Sequence, residues 1–426
     1  MIKFLIIIFL FLSNCSFNEN SKIWKEEIKL SEKENVKEIL IEDNKELFEL
    51  NSNLSIDFGK VSLTQNKGNN TGSQPYNGNL NKVGAYKFSK LKSQDISEQS
   101  PILKNEHLYF FDKKGNVIKY DNSQKIIWKN NVYTKKEKKL SPNLTLSLTD
   151  KGVLVTDDLA NYYFLNQDNG ELIWKNKSIY PFNSETKIIE NKFFAIDYKN
   201  IIRCFSLIDG KECWNFETEN SFTLSSSKPS IVLKKPLVIF SNTIGDITAL
   251  NIENGQAVWQ LPTQSSEVLG KSYNFKNSTI VLDNDNIFFS NNNSEFYSVN
   301  SKNGITNWIA DINSNVKPII INDFIITVTN DGYLVVMNKK DGNIIRTNYL
   351  LSTFKEKKRK KINVSGFTVG NLKAYITFNN GFLMVVDLKN GNTINLIKIA
   401  RSPLSKPIIY KDNLYILKNG AVNKFN

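Results

Sequence analysis

The sequence is poor in the side chains that enzymes most often use for catalysis and metal binding. Its 426 residues contain one histidine, His107, and three cysteines. No C-x-x-C pair is present, which excludes the common zinc sites, and no C-x-x-C-H motif is present, which excludes covalent haem attachment. A Ser-His-Asp triad would have to use His107. No Cys, second His or pair of carboxylates lies next to His107 in the sequence. We therefore expect His107 to be structural, and we expect neither a metal nor a cofactor.

Long apolar runs are absent after the first twelve residues. Residues 4–12 form an apolar run behind Lys3, which is typical of a secretory signal and shorter than the about 20 residues that span a bilayer. The run leads into Leu12-Ser13-Asn14-Cys15, which resembles the lipobox of bacterial lipoproteins except at Asn14. The resemblance implies that residues 1–14 are removed, that Cys15 is lipidated and that Ser16 permits export to the outer membrane. An ordinary signal peptide with an incidental cysteine is the alternative.

Residues 15–84 are polar and poorly patterned. The stretch 66–84 is rich in Gly, Asn and Ser, a composition typical of flexible linkers. We therefore predict that residues 15–84 form a lipidated N-terminus and a flexible linker.

From residue 100 onwards the chain repeats a short phrase, in which Asn-Gly or Asp-Gly stands four residues before Trp. Some copies keep only the turn or only the Trp. The glycines are Gly170, Gly210, Gly255, Gly304, Gly342 and Gly391, and the tryptophans are Trp128, Trp174, Trp214, Trp259 and Trp308. Apolar runs flank each turn, which predicts a β-hairpin. We expect the recurring ring to pack each unit against the next.

Four prolines give the length of the repeat. A similar apolar segment begins at each of Pro101, Pro229, Pro318 and Pro407, and these prolines are 128, 89 and 89 residues apart. The spacings correspond to three, two and two units of about 43 to 45 residues, which is the size of a propeller blade. An eighth unit has only 20 residues, so the other end of the chain must complete it. We predict an all-β fold, an eight-bladed β-propeller of four-stranded antiparallel blades over residues 85–426, with residues 85–91 as the missing outer strand.

The phrase Asn-x-x-(Asp/Asn)-Gly-x-x-x-Trp resembles the repeats of quinoprotein-type (PQQ-like) propellers. Two families share it: the PQQ-dependent dehydrogenases, which are enzymes, and the BamB-like lipoproteins of the outer-membrane β-barrel assembly machinery. The dehydrogenases usually carry adjacent cysteines over the quinone, whereas Cys204 and Cys213 are nine residues apart. The length of the chain, its C-terminal sequence and the lipobox at Cys15 resemble those of the BamB-like family.

This resemblance implies a non-enzymatic scaffold, held by its lipid at the periplasmic face of the outer membrane. It would dock on the periplasmic domains of a BamA-like barrel protein, together with other members of the assembly complex. In the family, a loop with two apolar residues and an Arg contacts the partner, and the nearest match here is Phe222, Leu224 and Ser225, with Ser in place of Arg. Alternatively, Phe222 and Leu224 simply begin an inner strand. A dehydrogenase-like enzyme and a propeller that binds polysaccharide or another envelope protein are the other candidate functions.

Two further features are open to more than one interpretation. Cys204 and Cys213 lie on two strands of one predicted hairpin, so they are either a disulfide in an oxidising compartment or two small apolar side chains. Residues 355–361 (KEKKRKK) concentrate part of the formal net charge of +13. We interpret them as a solvated loop between blades six and seven, the alternative being contact with anionic head groups or an acidic partner. Nucleic acid is not expected as a partner in the periplasm.

Overall fold

The fold is a closed ring of eight small sheets. In a computed structural model of the protein, the residues described are 55–59, 74–91, 96, 99–219, 228–263 and 275–426. The strands of this part of the chain form eight four-stranded antiparallel sheets, each of them one blade of a β-propeller. The predicted fold class is therefore confirmed.

In blades 1 to 7 the four strands follow one another in chain order. Blade 1 consists of β2 (Ile102–Lys104), β3 (His107–Phe111), β4 (Val117–Tyr120) and β5 (Ile126–Asn130). Blade 2 consists of β6 (Leu144–Leu148), β7 (Gly152–Asp157), β8 (Asn161–Asn166) and β9 (Leu172–Lys177). Blade 3 consists of β10 (Lys187–Ile189), β11 (Lys192–Ile196), β12 (Ile201–Ser206) and β13 (Glu212–Glu217). Blade 4 consists of β14 (Ile231–Lys234), β15 (Leu237–Ser241), β16 (Ile247–Asn251) and β17 (Ala257–Leu261).

The second half of the ring repeats this order until the last blade. Blade 5 consists of β18 (Val281–Asp283), β19 (Asn286–Ser290), β20 (Glu295–Asn300) and β21 (Thr306–Asp311). Blade 6 consists of β22 (Ile319–Ile321), β23 (Phe324–Val328), β24 (Tyr333–Asn338) and β25 (Ile344–Tyr349). Blade 7 consists of β26 (Val364–Gly370), β27 (Lys373–Phe378), β28 (Phe382–Asp387) and β29 (Thr393–Lys398). Blade 8 consists of β30 (Ile408–Tyr410), β31 (Asn413–Lys418), β32 (Ala421–Phe425) and, from the other end of the chain, β1 (Lys82–Lys87).

In the described residues, two short helices lie in the links between blades. Helix α1 (Lys135–Leu140) lies between blades 1 and 2, and helix α2 (Glu356–Arg359), which follows a 3-10 turn at Leu350–Thr353, lies between blades 6 and 7. Helix α1 begins with a capping box, because Thr134 and Glu137 each accept a hydrogen bond from the other's backbone N–H. None of the helices in the described residues has the length and apolarity that a membrane crossing requires.

Burial explains why the strands of one blade differ in composition. The second and third strands are apolar on both faces, as in β7 (GVLVTD), which is buried throughout, because neighbouring blades cover both sides of each sheet. The fourth strands are partly exposed and alternate, as in β21 (TNWIAD). The core therefore consists of apolar layers between adjacent blades, and clusters such as Phe194, Cys204 and Phe240 join residues of two blades.

The first strand of the chain completes the last blade. Strand β1 pairs antiparallel with β32, with Tyr86 opposite Val422 and Lys87 opposite Ala421. The closing strand thus begins three residues before the expected segment 85–91 and ends at Lys87. The Tyr86 ring also contacts Tyr120 of blade 1, whose hydroxyl donates to the Lys87 carbonyl at 2.7 Å. The same strand therefore completes blade 8 and joins it to blade 1.

Part of the expected linker is packed on the propeller. Gln74 forms a parallel bridge with Gly370 of blade 7, and the buried Tyr76 ring lies 5.1 Å from that of Tyr375 in a cluster that also contains Phe425 of blade 8. Blade 7 has no Trp at the repeat position and blade 8 has no turn between β32 and β1. Residues 74–81 fill the resulting gap, so the propeller unit begins before the predicted boundary at residue 85.

A second N-terminal segment lies between blades 6 and 7. The Ile56 N–H donates to the Lys389 carbonyl at 2.9 Å, and the amide of Asn322 donates to the Phe58 carbonyl at 2.7 Å. Both apolar side chains are buried, and the Phe58 ring lies 5.0 Å from that of Phe324. Apolar residues within the polar segment therefore anchor it to the ring.

Removal of the closing strand should open the ring. We expect a chain of residues 88–426 to melt roughly 5 °C or more below the full chain, because it lacks β1 and the buried Tyr76 and Tyr86. A chain of residues 55–426 keeps both and is the matched control, expected to melt like the full chain. Thermal melting followed by circular dichroism measures the difference. Equal melting of the two truncated chains would contradict a closing role for β1.

Candidate functional site

The recurring tryptophans lie at the contacts between blades. Each donates its indole N–H, at 3.0–3.1 Å, to a carbonyl three residues before the turn glycine of the following blade. The donor and acceptor pairs are Trp128 and Gln167, Trp174 and Leu207, Trp214 and Ile252, Trp259 and Ser301, and Trp308 and Lys339. Trp128 and Trp259 are buried, whereas the other three are half-buried. One side chain in each of these blades thus fixes the position of the next blade.

The turn glycine is required by this contact. Gly304 has φ +74°, and a Cβ at that position would lie 2.6 Å from the Trp259 ring. The glycines of the other tryptophan contacts, Gly170, Gly210, Gly255 and Gly342, also have positive φ and lie against a Trp of the preceding blade. A side chain there would be strained in its backbone and would displace the ring. The Asn-Gly and Asp-Gly pairs therefore serve both the turn and the packing of the preceding blade.

Arginine replaces tryptophan in blade 6 and makes the equivalent contact. Arg346 is fully buried and donates to the carbonyls of Leu388 and, at 2.7 Å, Lys389. Leu388 is the residue three positions before Gly391, the same acceptor position that the tryptophans use. Burial lowers the pKa of Arg346, while the nearby Asp387 carboxylate raises it. At Gly391 the added Cβ would meet the Asn348 side chain instead of an indole ring.

The ring surrounds a cavity of about 610 Å³ that both polar and apolar side chains line. All eight blades contribute residues to its lining, mostly at or just before their first strands, so the cavity lies on the axis of the propeller. Burial, with a smaller contribution from the neighbouring charge of Lys317, lowers the pKa of Lys406 to about 7. Burial also lowers the pKa of Lys317, to about 8, while the Glu185 carboxylate raises the pKa of both lysines.

The motifs of the sequence do not single out these axial lysines. A signal was present, because Lys317-Pro318 and Lys406-Pro407 open two of the phrases that define the repeat. A lysine before a strand normally lies in solvent, and only the closure of the ring places these two around one cavity.

Cys204 and Cys213 are both free thiols, so the candidate disulfide is not formed in the structure. Cys204 is buried between blades 3 and 4, and Cys213 is exposed. The register places Cys204 opposite Trp214, with an irregularity after it. Burial raises the pKa of the Cys204 thiol above its ordinary value, and a hydrogen bond with Cys213 raises it further.

Several residues singled out from the sequence lie outside the described part of the chain. These are the lipidation candidate Cys15 and the docking candidates Phe222, Leu224 and Ser225. The basic segment 355–361 is described, and it lies between blades 6 and 7 as expected, with its lysines exposed. Arg359 is its exception, because it is half-buried, lies over the Tyr349 ring and donates to the Phe354 carbonyl at 3.0 Å.

Comparison with known proteins identifies the family. A family model described as outer membrane protein assembly factor BamB matches residues 113–348. The chain belongs to the BamB family. The crystal structure of BamB from Moraxella catarrhalis is similar, with a TM-score of 0.66 and 16% identity, over 82% of this chain and 99% of that one. An uncharacterised protein of Rickettsia prowazekii is 22% identical over 346 residues, 78% of this chain and 76% of its own length.

The BamB-family propeller also shares its fold with enzymes. The quinohemoprotein alcohol dehydrogenase of Comamonas testosteroni has a TM-score of 0.64 at 10% identity, over 84% of this chain and 78% of that one. At this identity the likeness concerns the fold alone. The described residues contain no group of three or more His, Cys, Asp or Glu side chains that could hold a metal ion.

Loss of one blade-to-blade tryptophan should destabilise this BamB-family propeller. We expect Trp259→Ala to lower the free energy of unfolding by about 3–5 kcal/mol, because a buried ring and its hydrogen bond to the next blade are lost. Val258→Ala, at a 52% exposed neighbour in the same strand, is the matched control and should cost about 0.5 kcal/mol or less. Urea denaturation measures both. Similar losses in the two variants would refute the blade-to-blade role of Trp259.

Proposed function

We propose that the protein is a non-enzymatic scaffold lipoprotein of the outer-membrane β-barrel assembly machinery. It docks on the periplasmic domains of a BamA-like barrel-inserting subunit and on other members of the assembly complex. The match of the BamB family model to residues 113–348 carries this proposal. The family also supports a location at the periplasmic face of the outer membrane, where the lipid on Cys15 would hold the ring.

Two surfaces are candidates for docking. The first is the loop with Phe222 and Leu224, which the resemblance to the family suggests. The second is an apolar strip on the outer strands of blades 1 and 2, formed by Ile126, Ile127, Leu172 and Ile173, each of them at least 44% exposed. The amide of Asn130, at the end of β5, donates to the Gly170 carbonyl in the turn before β9 at 2.6 Å, which links the two blades at their outer edge. Exposed apolar side chains on an outer strand suit strand addition by a partner.

The partner can be identified by affinity purification of the full chain from envelope membranes in mild detergent. We expect a large outer-membrane barrel protein with repeated periplasmic domains to be recovered with it. We further expect the Phe222→Asp/Leu224→Asp variant to recover less of that protein, because charge in an apolar contact is costly. Ile394→Asp, at an exposed apolar residue of blade 7, is the matched control.

An Ile127→Asp/Ile173→Asp variant tests the apolar strip in the same experiment. Equal recovery by all variants would exclude both docking surfaces. Failure of the unmodified chain to recover any barrel protein would count against the scaffold function itself.

The fold shared with the quinohemoprotein dehydrogenase makes a quinone-dependent enzyme the second candidate function. Absorbance changes on adding pyrroloquinoline quinone to the purified chain would then favour it.

Substitution of the lipidation candidate should release the protein from the membrane. We expect Cys15→Ser to move the chain from the detergent phase to the aqueous phase in a two-phase detergent extraction of cells, because the acyl chains supply the membrane affinity. Cys213→Ser, at an exposed thiol within the propeller, is the control and should stay in the detergent phase. A Cys15→Ser chain that remains with the detergent would exclude this anchor.

A further inference from the structure

Two lysines line the axial cavity without a counter-ion of their own. Lys317 belongs to blade 6 and Lys406 to blade 8, and each stands two residues before the first strand of its blade. Neither ammonium group makes a hydrogen bond or ion pair with any residue that the structure describes. Both side chains line the same cavity, and the charge of Lys317 contributes to the lowered pKa of Lys406. Such a pair of like charges without counter-ions is costly where the side chains are partly buried.

Blade 7 has a glycine at the position between these two lysines, and Lys406 packs closely against it. At the equivalent position it has Gly366, where a Cβ would lie 2.8 Å from the Cβ of Lys406. The neighbouring Ser365 also lines the cavity, and its hydroxyl oxygen is buried without a hydrogen-bond partner among the described residues. Lys317 and Lys406 therefore line the cavity on either side of blade 7, which has no side chain of its own at the position between them.

The other charged groups around the cavity leave it positive near blades 6 to 8. The Glu185 carboxylate, which faces both lysines, is held by Lys187 at 3.0 Å. On the side of blade 2, Asp157 accepts from the Tyr133 hydroxyl at 2.6 Å. The remaining charged or titratable residues of the lining are Asp158, Tyr198, Lys228 and Lys276.

We propose that the axial cavity binds a small organic anion whose phosphate or carboxylate group lies between Lys317 and Lys406. The anionic oxygens would accept hydrogen bonds from both ammonium groups, which are the strong, charge-assisted kind. A single phosphate or carboxylate group occupies only a small part of the 610 Å³, so the cavity also has room for an organic body. This site is separate from the docking surfaces and does not depend on them.

The pKa values of the two lysines determine how binding responds to pH. With pKa values of about 7 for Lys406 and about 8 for Lys317, each is protonated below these values and loses its charge above them. An anion binds the protonated form, so binding takes up protons near neutral pH and weakens as the pH rises from 6.5 to 8.5.

Sulfate is the best first probe, because it keeps its charge of −2 across this range, so that any pH dependence belongs to the protein. Calorimetric titration of the full chain at constant ionic strength should give one saturable site. We expect its Kd to rise roughly tenfold or more between pH 6.5 and 8.5. Lys406→Gln and Lys317→Gln should each raise Kd at pH 6.5 roughly tenfold, since each removes a charge-assisted hydrogen bond. Lys139→Gln, at an exposed lysine of α1, is the matched control and should change nothing.

Lys406→Arg separates charge from structural damage. Arginine keeps its charge up to pH 8.5, so this variant should bind sulfate at pH 8.5 more tightly than the unmodified chain does. Titration with phosphate and with succinate then identifies the ligand class, because tighter phosphate binding indicates a phosphorylated ligand and tighter succinate binding a carboxylate. The proposal is wrong if none of the three anions binds saturably at pH 6.5, or if Lys139→Gln weakens binding as much as the axial variants do.

Discussion

The propeller depends on one hydrogen bond that is repeated around the ring. A long side chain on the outer strand of one blade donates to the carbonyl three residues before the turn glycine of the next blade. Trp128 makes this bond to Gln167, and the series continues to Trp308, which donates to Lys339. The replacement of Trp by Arg346 indicates what the position requires, because the guanidinium keeps the N–H donor and the buried bulk while changing the chemical class. The turn glycine of each following blade leaves room for the side chain that makes this bond.

The contact cannot continue through blades 7 and 8, and the N-terminal segment takes its place there. Blade 7 has Asn395 at the repeat position, and blade 8 is made from both ends of the chain, so it lacks the turn that would accept the bond. Tyr76 and Tyr86 fill these last two contacts with aromatic rings. A repeat protein needs special ends because its terminal units lack a neighbour, and in a closed ring those two ends are neighbours of each other.

The repeat made most of the fold predictable from the sequence. The spacing of four prolines fixed eight blades, and the short eighth unit required a strand from the N-terminus, which the structure places at Lys82–Lys87. The sequence was less informative where one or two apolar residues stand in a polar segment. Phe58 and Tyr76 are buried, yet their surroundings have the composition of a linker. The sequence did not indicate the axial lysines for a related reason. The repeat shows which residues occupy the same position in each blade, but it does not show that eight such positions surround one cavity.

The pairing of β1 with β32 also constrains the order in which this protein acquires its structure. The two partners, Tyr86 and Val422 among them, are separated by nearly the whole ring, so the final contact has a very high sequence separation and must form late. Until the C-terminal strands are in place, the incomplete ring has one unpaired strand edge at its beginning and another at its end. Such edges readily pair with other chains. The pairing of β32 with β1 therefore determines when the protein has no open sheet edge left.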